Sequence, residues 1–175
     1  MVLVCPVDLG TLAQFLVRAR SHGYAGGAKK VANPQRPGFK EFPPFQEEGP
    51  AGVLEYVDSY AGHYFAPGQE VVRLNSVPIW HMAYSGGMLP DFHGDKELAH
   101  ETFQFLKMAL SYAPQDRPFR GPDIFKDGKF DYYNDARGTL ADFYGTERIF
   151  RSVQAVFRQR YIGGLFVHKE QDPYL

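Results

Sequence analysis

Apolar residues recur at helical spacing in two places. Leu12, Phe15, Leu16 and Ala19 form one stripe, and Leu98, Phe103, Leu106, Ala109 and Leu110 approximate a second. Asp8 stands where an N-cap is needed and Gly23 where a helix stops, which predicts a first helix over about 9–21. The second stripe predicts a helix over about 96–112. Elsewhere the pattern alternates with a period of two. It predicts strands near 53–60, 70–74 and 77–84, and again near 130–134, 148–153 and 155–161. Turn residues such as Asn75 and Ser76 separate neighbouring strands, so each trio reads as an antiparallel meander. Residues 1–7 read as a short apolar strand or arm.

On the strand near 77–84, Trp80, Met82 and Tyr84 share one face, and Ile79, His81 and Ala83 share the other. A second copy of the pattern indicates which face is inward. The stretch GQEVVRLNSVPIWHMAYSGGML, residues 68–89, returns without a gap as GTERIFRSVQAVFRQRYIGGLF, residues 145–166. Gly68 matches Gly145, Glu70 matches Glu147, Trp80 matches Phe157, Tyr84 matches Tyr161, and Gly86-Gly87 matches Gly163-Gly164. The same offset aligns Tyr56 with Tyr133 and Asp58 with Asp135. In the second copy Arg158 and Arg160 lie opposite Phe157 and Tyr161, so the Trp80/Tyr84 face is the buried one. The helices echo each other too, through Gln14-Phe15-Leu16 and Gln104-Phe105-Leu106.

The expected fold is therefore α+β and internally duplicated: helix, long loop, three-stranded antiparallel meander, twice over. Six main strands with two helices would pack as a curved antiparallel sheet or half-barrel. A single domain of residues 1–175 would contain two pseudo-symmetric units, about 8–89 and 96–166. Residues 25–50, AGGAKKVANPQRPGFKEFPPFQEEGP, have neither period. They read as an ordered strap held down by Phe39, Phe42 and Phe45 and able to cover a pocket.

Composition narrows the classes. The chain has 175 residues with 15 Phe and 11 Tyr, enough apolar material for one packed core. A formal net charge of −1 gives no electrostatic footprint for nucleic acid or an anionic membrane. No apolar run reaches the roughly 18–20 residues of a membrane span, and the opening residues lack a basic signal-peptide region. The single cysteine, Cys5, leaves no intrachain disulfide. These features point to a cytoplasmic chain.

The repeat also sorts the candidate chemistry. Glu70 and Glu147 occur in both copies and read as structural carboxylates accepting backbone N–H groups of their own turns. Gly86-Gly87 and Gly163-Gly164 read as strand-end turns or bulges, because the G-x-G-x-x-G spacing of a phosphate loop is absent. Positions that differ between copies are better site candidates. Tyr60, Trp80 and Met82 are of this kind, and with Tyr84 they would form an aromatic wall, with Asp58 as its charge. Arg36 in the strap and Arg120 in the RPFRGP turn could contact an anion. Arg18, Arg20 and His22 end the first helix and are expected in solvent. His93 with Asp91 and Asp95 is too loosely spaced for a metal site, so neither metal nor cofactor is expected.

The segments FLVRARSHGYA, YVDSYAG, FAPGQEV, PIWHMAYSGG, FLKMAL, PFRGP, FYGTERI and VFRQRYIGG, spread over residues 15–164, resemble an uncharacterised prokaryotic domain family. Its members often follow an XRE-type helix-turn-helix. Ala83 follows the Trp-x-Met where that family carries Asn. The resemblance implies a stand-alone version of a sensor domain. The leading expectation is non-enzymatic binding of a small effector between sheet and strap. One alternative is an interaction or oligomerisation module, with a homodimer as its natural state. Another is an enzyme using Glu70 with Asp58 as acid and base.

Overall fold

The computed structural model describes residues 5–168, and the first four residues of the expected N-terminal arm lie outside that range. Residues 5–7 form no strand. Helix α1 spans Leu9–His22, and Asp8 caps it by accepting the Thr11 amide at 2.9 Å. Helix α2 spans Lys96–Ser111, and Asp95 does the same for Leu98 at 3.0 Å. Each cap satisfies an amide that has no partner inside its helix. Among the described residues neither helix is long and apolar enough to cross a membrane.

The strands are β1 (Lys40–Glu41), β2 (Phe45–Gly49), β3 (Gly52–Tyr60), β4 (Gly68–Leu74) and β5 (Val77–Met88), then β6 (Ile124–Asp127), β7 (Phe130–Thr139), β8 (Asp142–Arg151) and β9 (Gln154–Leu165). Among the described residues they form one antiparallel sheet ordered β1-β3-β4-β5-β9-β8-β7-β6, with β2 also on β3. The terminal strands β1 and β6 do not pair, so the sheet is open and the architecture is α+β. The two meanders meet at β5 and β9, where Trp80 pairs with Leu165 and Met88 with Phe157.

Three strands go beyond the six predicted, and each covers an edge. Without β1 and β2, the outer side of β3 would present unpaired N–H and C=O groups. The strap supplies partners: Phe45 pairs with Tyr56, Lys40 with Tyr60, and the Phe42 amide donates to the Asp58 carbonyl at 3.1 Å. Strap and helix are also tied by Arg18, whose guanidinium reaches Glu47 at 2.7 Å, and by His22 stacked on Phe45 at 4.5 Å. At the other end β6 covers β7.

Two local expectations are corrected. Gly86 and Gly87 are not a strand-end turn. They continue the ladder opposite Gln159 and Arg158, and the β3–β4 connection crosses so close that a Cβ on Gly87 would lie 2.0 Å from the Tyr64 carbonyl oxygen. The second correction concerns register. Asp58 pairs with Glu70, but Glu147 pairs with Asn134 rather than Asp135, and Ile149 with Tyr132 rather than Tyr133. One extra residue separates Ala136 from its partner Gly145, compared with Tyr60 and Gly68. A slip of one residue turns every side chain to the opposite face. Asp135 is accordingly exposed, paired with Arg137 at 3.0 Å.

Both helices cover the same face of the sheet. Leu12, Phe15, Leu16 and Ala19 of α1 pack with Leu54, Val72, Leu74, Trp80 and Met82. Under α2, Leu98, Phe105, Leu106 and Ala109 pack with Phe130, Ile149, Val156 and Phe157. Trp80, Phe143 and Phe119 stack in series, the last two at 4.2 Å and 2° between planes. The face carrying Arg158 and Arg160 is exposed, so strand parity assigned inside and outside correctly.

Candidate functional site

Strand parity that buries Val72 and Leu74 also buries Glu70, and the parity of Ile149 buries Glu147. A buried carboxylate requires partners, and each glutamate has a buried arginine. Arg20 reaches Glu70 Oε2 with Nε at 2.9 Å and Nη2 at 2.7 Å, and also donates to the Pro118 carbonyl. Arg120 reaches Glu147 Oε1 with Nε at 2.9 Å and Nη2 at 2.8 Å, and its Nη1 bridges to Glu70 at 3.5 Å. Tyr132 donates to Glu147 Oε2 at 2.8 Å and Gln159 to Oε1 at 2.9 Å. The glutamates thus accept from guanidinium, phenol and amide side chains, not from their own turns as the sequence suggested.

Beside this network lies a second arrangement, again twofold. The Tyr84 hydroxyl donates to Asp58 Oδ1 at 2.8 Å, and the Tyr161 hydroxyl donates to Asn134 Oδ1 at the same distance. Each tyrosine ring lies over the glycine paired with it across the ladder. A Cβ on Gly68 would lie 2.4 Å from the Tyr84 hydroxyl, and one on Gly145 would lie 2.3 Å from that of Tyr161. Only glycine leaves room for the rings.

The two pairs differ in charge. Two arginines and two glutamates balance formally, which leaves Asp58 beside them as a buried carboxyl with no guanidinium hydrogen-bonded to it among the described residues. Burial, seconded by the charge of Glu70, pushes its carboxyl up to about 7, against the smaller pull of the Tyr84 hydrogen bond, Arg120 and Arg20. Burial and the neighbouring Asp58 likewise hold the Tyr84 phenol well above its ordinary range.

A cavity of about 390 Å³ opens onto these groups. Its buried lining comprises Arg20, Tyr56, Asp58, Glu70, Tyr84 and Arg120, with Gln159 from β9. Apolar walls come from Tyr24, Tyr60, Ala66, Phe103, Leu106 and Leu110. Lys30 and Lys40 of the strap and Lys107 of α2 stand around the aromatic walls. Lys30 Nζ and Lys40 Nζ lie 5.7 Å and 5.2 Å from the Tyr60 ring centre, and Lys107 Nζ lies 5.0 Å from that of Tyr24. Burial first, and then the charge of Lys30, lowers the pKa of both Lys40 and Lys107.

Of the residues singled out in the sequence, Asp58, Tyr60, Glu70, Tyr84 and Arg120 meet at this cavity. Trp80 and Met82 do not line it. Both are fully buried in the core under α1, and the Trp80 indole N–H has no hydrogen-bond partner among the described residues. Arg36 is turned elsewhere, donating to Ser59 Oγ with its guanidinium 4.2 Å from the Phe39 ring centre. Asp95 caps α2, and His93 Nε2 is 3.0 Å from the Met88 carbonyl oxygen. Among the described residues no group of three His, Cys, Asp or Glu side chains is arranged to hold a metal.

Sequence reasoning overlooked Arg20, Tyr24, Gln159 and the three lysines. Arg20 had a usable signal, since it follows Leu12 and Leu16 at i+4 steps along the buried stripe. The strap lysines had none, because nothing local says which way an aperiodic segment folds.

The arrangement provides a small cavity with a charge-balanced ionic base, one protonatable carboxyl, aromatic walls and a cationic rim. Comparison with curated proteins and with solved structures gives no match. The family described as "Domain of unknown function (DUF5680)" matches residues 58–166, about three-fifths of the chain and every strand from β4 to β9, and the chain belongs to that family.

Proposed function

We propose that this protein is a binding domain for a small organic molecule, seated in the cavity between the sheet, α2 and the strap. The observation that carries this reading is the 390 Å³ cavity onto which Asp58, Tyr84 and Arg120 open from a closed ionic network. The volume falls in the range of small-molecule sites, and a few fixed polar groups among apolar walls are what orient a ligand. The resemblance to domains carried behind helix-turn-helix regulators is consistent with an effector site. Matched register at Asp58/Glu70 and Asn134/Glu147 favours two copies of one unit, in which a titratable Asp58 in the first stands where the second has the neutral Asn134.

Native mass spectrometry of gently purified protein tests the reading. Extra mass that leaves on denaturation, and is absent from a folded Ala66→Trp variant with its cavity filled, is the expected result. A clean apo mass, together with no stabilisation by any member of a metabolite panel, would sink it. A second reading, acid–base catalysis by Asp58, is favoured by the elevation of that carboxyl inside the same cavity. It requires that Asp58→Asn retain ligand but convert none.

A further inference from the structure

The charge around the cavity is one-sided. Six cationic side chains line it, Arg20, Arg120, Lys30, Lys40, Lys96 and Lys107, against two carboxyls, Asp58 and Glu70, in a chain of net charge −1. The arginines are engaged by Glu70 and Glu147, so the uncompensated charge belongs to the lysines. Two lysines away from the cavity pair with carboxylates, Lys126 with Asp131 and Lys129 with Glu101, while Lys29 has no ion pair among the described residues. No carboxylate among the described residues pairs with Lys30, Lys40 or Lys107. Lys40 donates instead to the Gly62 carbonyl at 2.6 Å, and partial burial, then the charge of Lys30, disfavours protonation of both other lysines. Like charges gathered on one wall repel one another, and a bound anion would relieve that repulsion. The three come from two separate elements, strap and helix, and converge on the same aromatic walls.

Resting on the cavity reading above, we infer that the ligand is an organic oxyanion, a phosphate or carboxylate. Its charged group is held by Lys30, Lys40 and Lys107, and its flat or apolar body lies between Tyr24, Tyr60 and Phe103 with its far end toward Asp58. Lysine ammonium groups serve as point-charge partners for either oxyanion, and the aromatic walls supply area without further charge. The base of the cavity offers no second free cation, because both guanidinium groups are committed. A second anionic group at that end would meet only guanidinium groups already held by Glu70 and Glu147. Asp58 instead suits a neutral hydroxyl, amide or ring nitrogen.

The test uses the full chain and four probes in isothermal titration: phenyl phosphate, phenylacetate, benzylamine and inorganic phosphate. The oxyanions with a ring should bind, the better of them identifying phosphate or carboxylate as the preferred head. Inorganic phosphate should bind more weakly because it lacks the body, and benzylamine should not bind. The double variant Lys30→Ala/Lys107→Ala, which leaves the ionic network untouched, should weaken the better probe by roughly tenfold or more, the worth of one charge-assisted hydrogen bond. Rising salt should weaken it as well. Benzylamine binding as tightly as the oxyanions, no lysine dependence, or no binding of either aryl oxyanion at millimolar concentration would each overturn the inference. The Ala66→Trp variant separates the two readings. Binding that it blocks but the lysine variant spares condemns only the oxyanion assignment, whereas binding that it leaves intact condemns the cavity as the site.

Discussion

Asp58→Asn should stabilise the protein at neutral and alkaline pH. Among the described residues the buried carboxyl has one hydrogen bond, from Tyr84, and no ion pair, and burial raises it from its ordinary 3.8 to about 7. A carboxyl raised in the folded state keeps its proton there after the unfolded chain has released its own. The stabilisation is complete below pH 3.8 and disappears as pH rises through about 7. Three pH units at 1.36 kcal/mol each correspond to about 4 kcal/mol. Asparagine has the same shape, cannot ionise, and already occupies the matching position in the second hairpin, where Asn134 accepts from Tyr161 at 2.8 Å. Urea unfolding of both proteins from pH 4 to pH 8.5 measures the effect. The variant's advantage should grow by about 1.4 kcal/mol per pH unit between pH 4 and 7 and then level off. Any constant offset from the substitution itself does not enter that slope. A stability difference independent of pH would refute the reasoning, because it would mean that Asp58 titrates alike in both states.

Arg120→Gln leaves Glu147 and Glu70 buried with one guanidinium between them, and should cost about 3–5 kcal/mol. A loss under 1 kcal/mol by denaturant titration would show that the network is hydrated. Gly68→Ala would place a methyl 2.4 Å from the Tyr84 hydroxyl and should cost about 1–3 kcal/mol in the same assay. Tyr84→Phe alone would not rescue it, since the ring itself lies 2.5 Å away at Cζ. Trp80→Phe removes a buried N–H that has no partner among the described residues, along with some volume, and should leave a folded protein, whereas Trp80→Ala should cost about 3–5 kcal/mol. Equal losses for the two would count against the indole N–H being unsatisfied.

Local pattern by itself determined both helices, six of the strands and the inward face. Helix and strand periods are read within a few residues, and Asp8, Asp95 or the Trp80–Met82–Tyr84 alternation needs no distant partner to be recognised. The resemblance likewise lay in short segments that survive without coordinates. Tertiary structure decided whatever depends on groups far apart in the chain. Arg20 looked like a solvated helix end until Glu70, fifty residues on, proved to be its partner. Asp135 looked equivalent to Asp58 until one additional residue in the second hairpin turned it outward and put Asn134 in its place. Lys30 and Lys40 acquired meaning only when the strap paired with the free edge of β3 and brought them to the wall facing Lys107. Electrostatic partnership depends on distance in space, and along this chain that distance is set by register and edge pairing, neither of which a local period encodes.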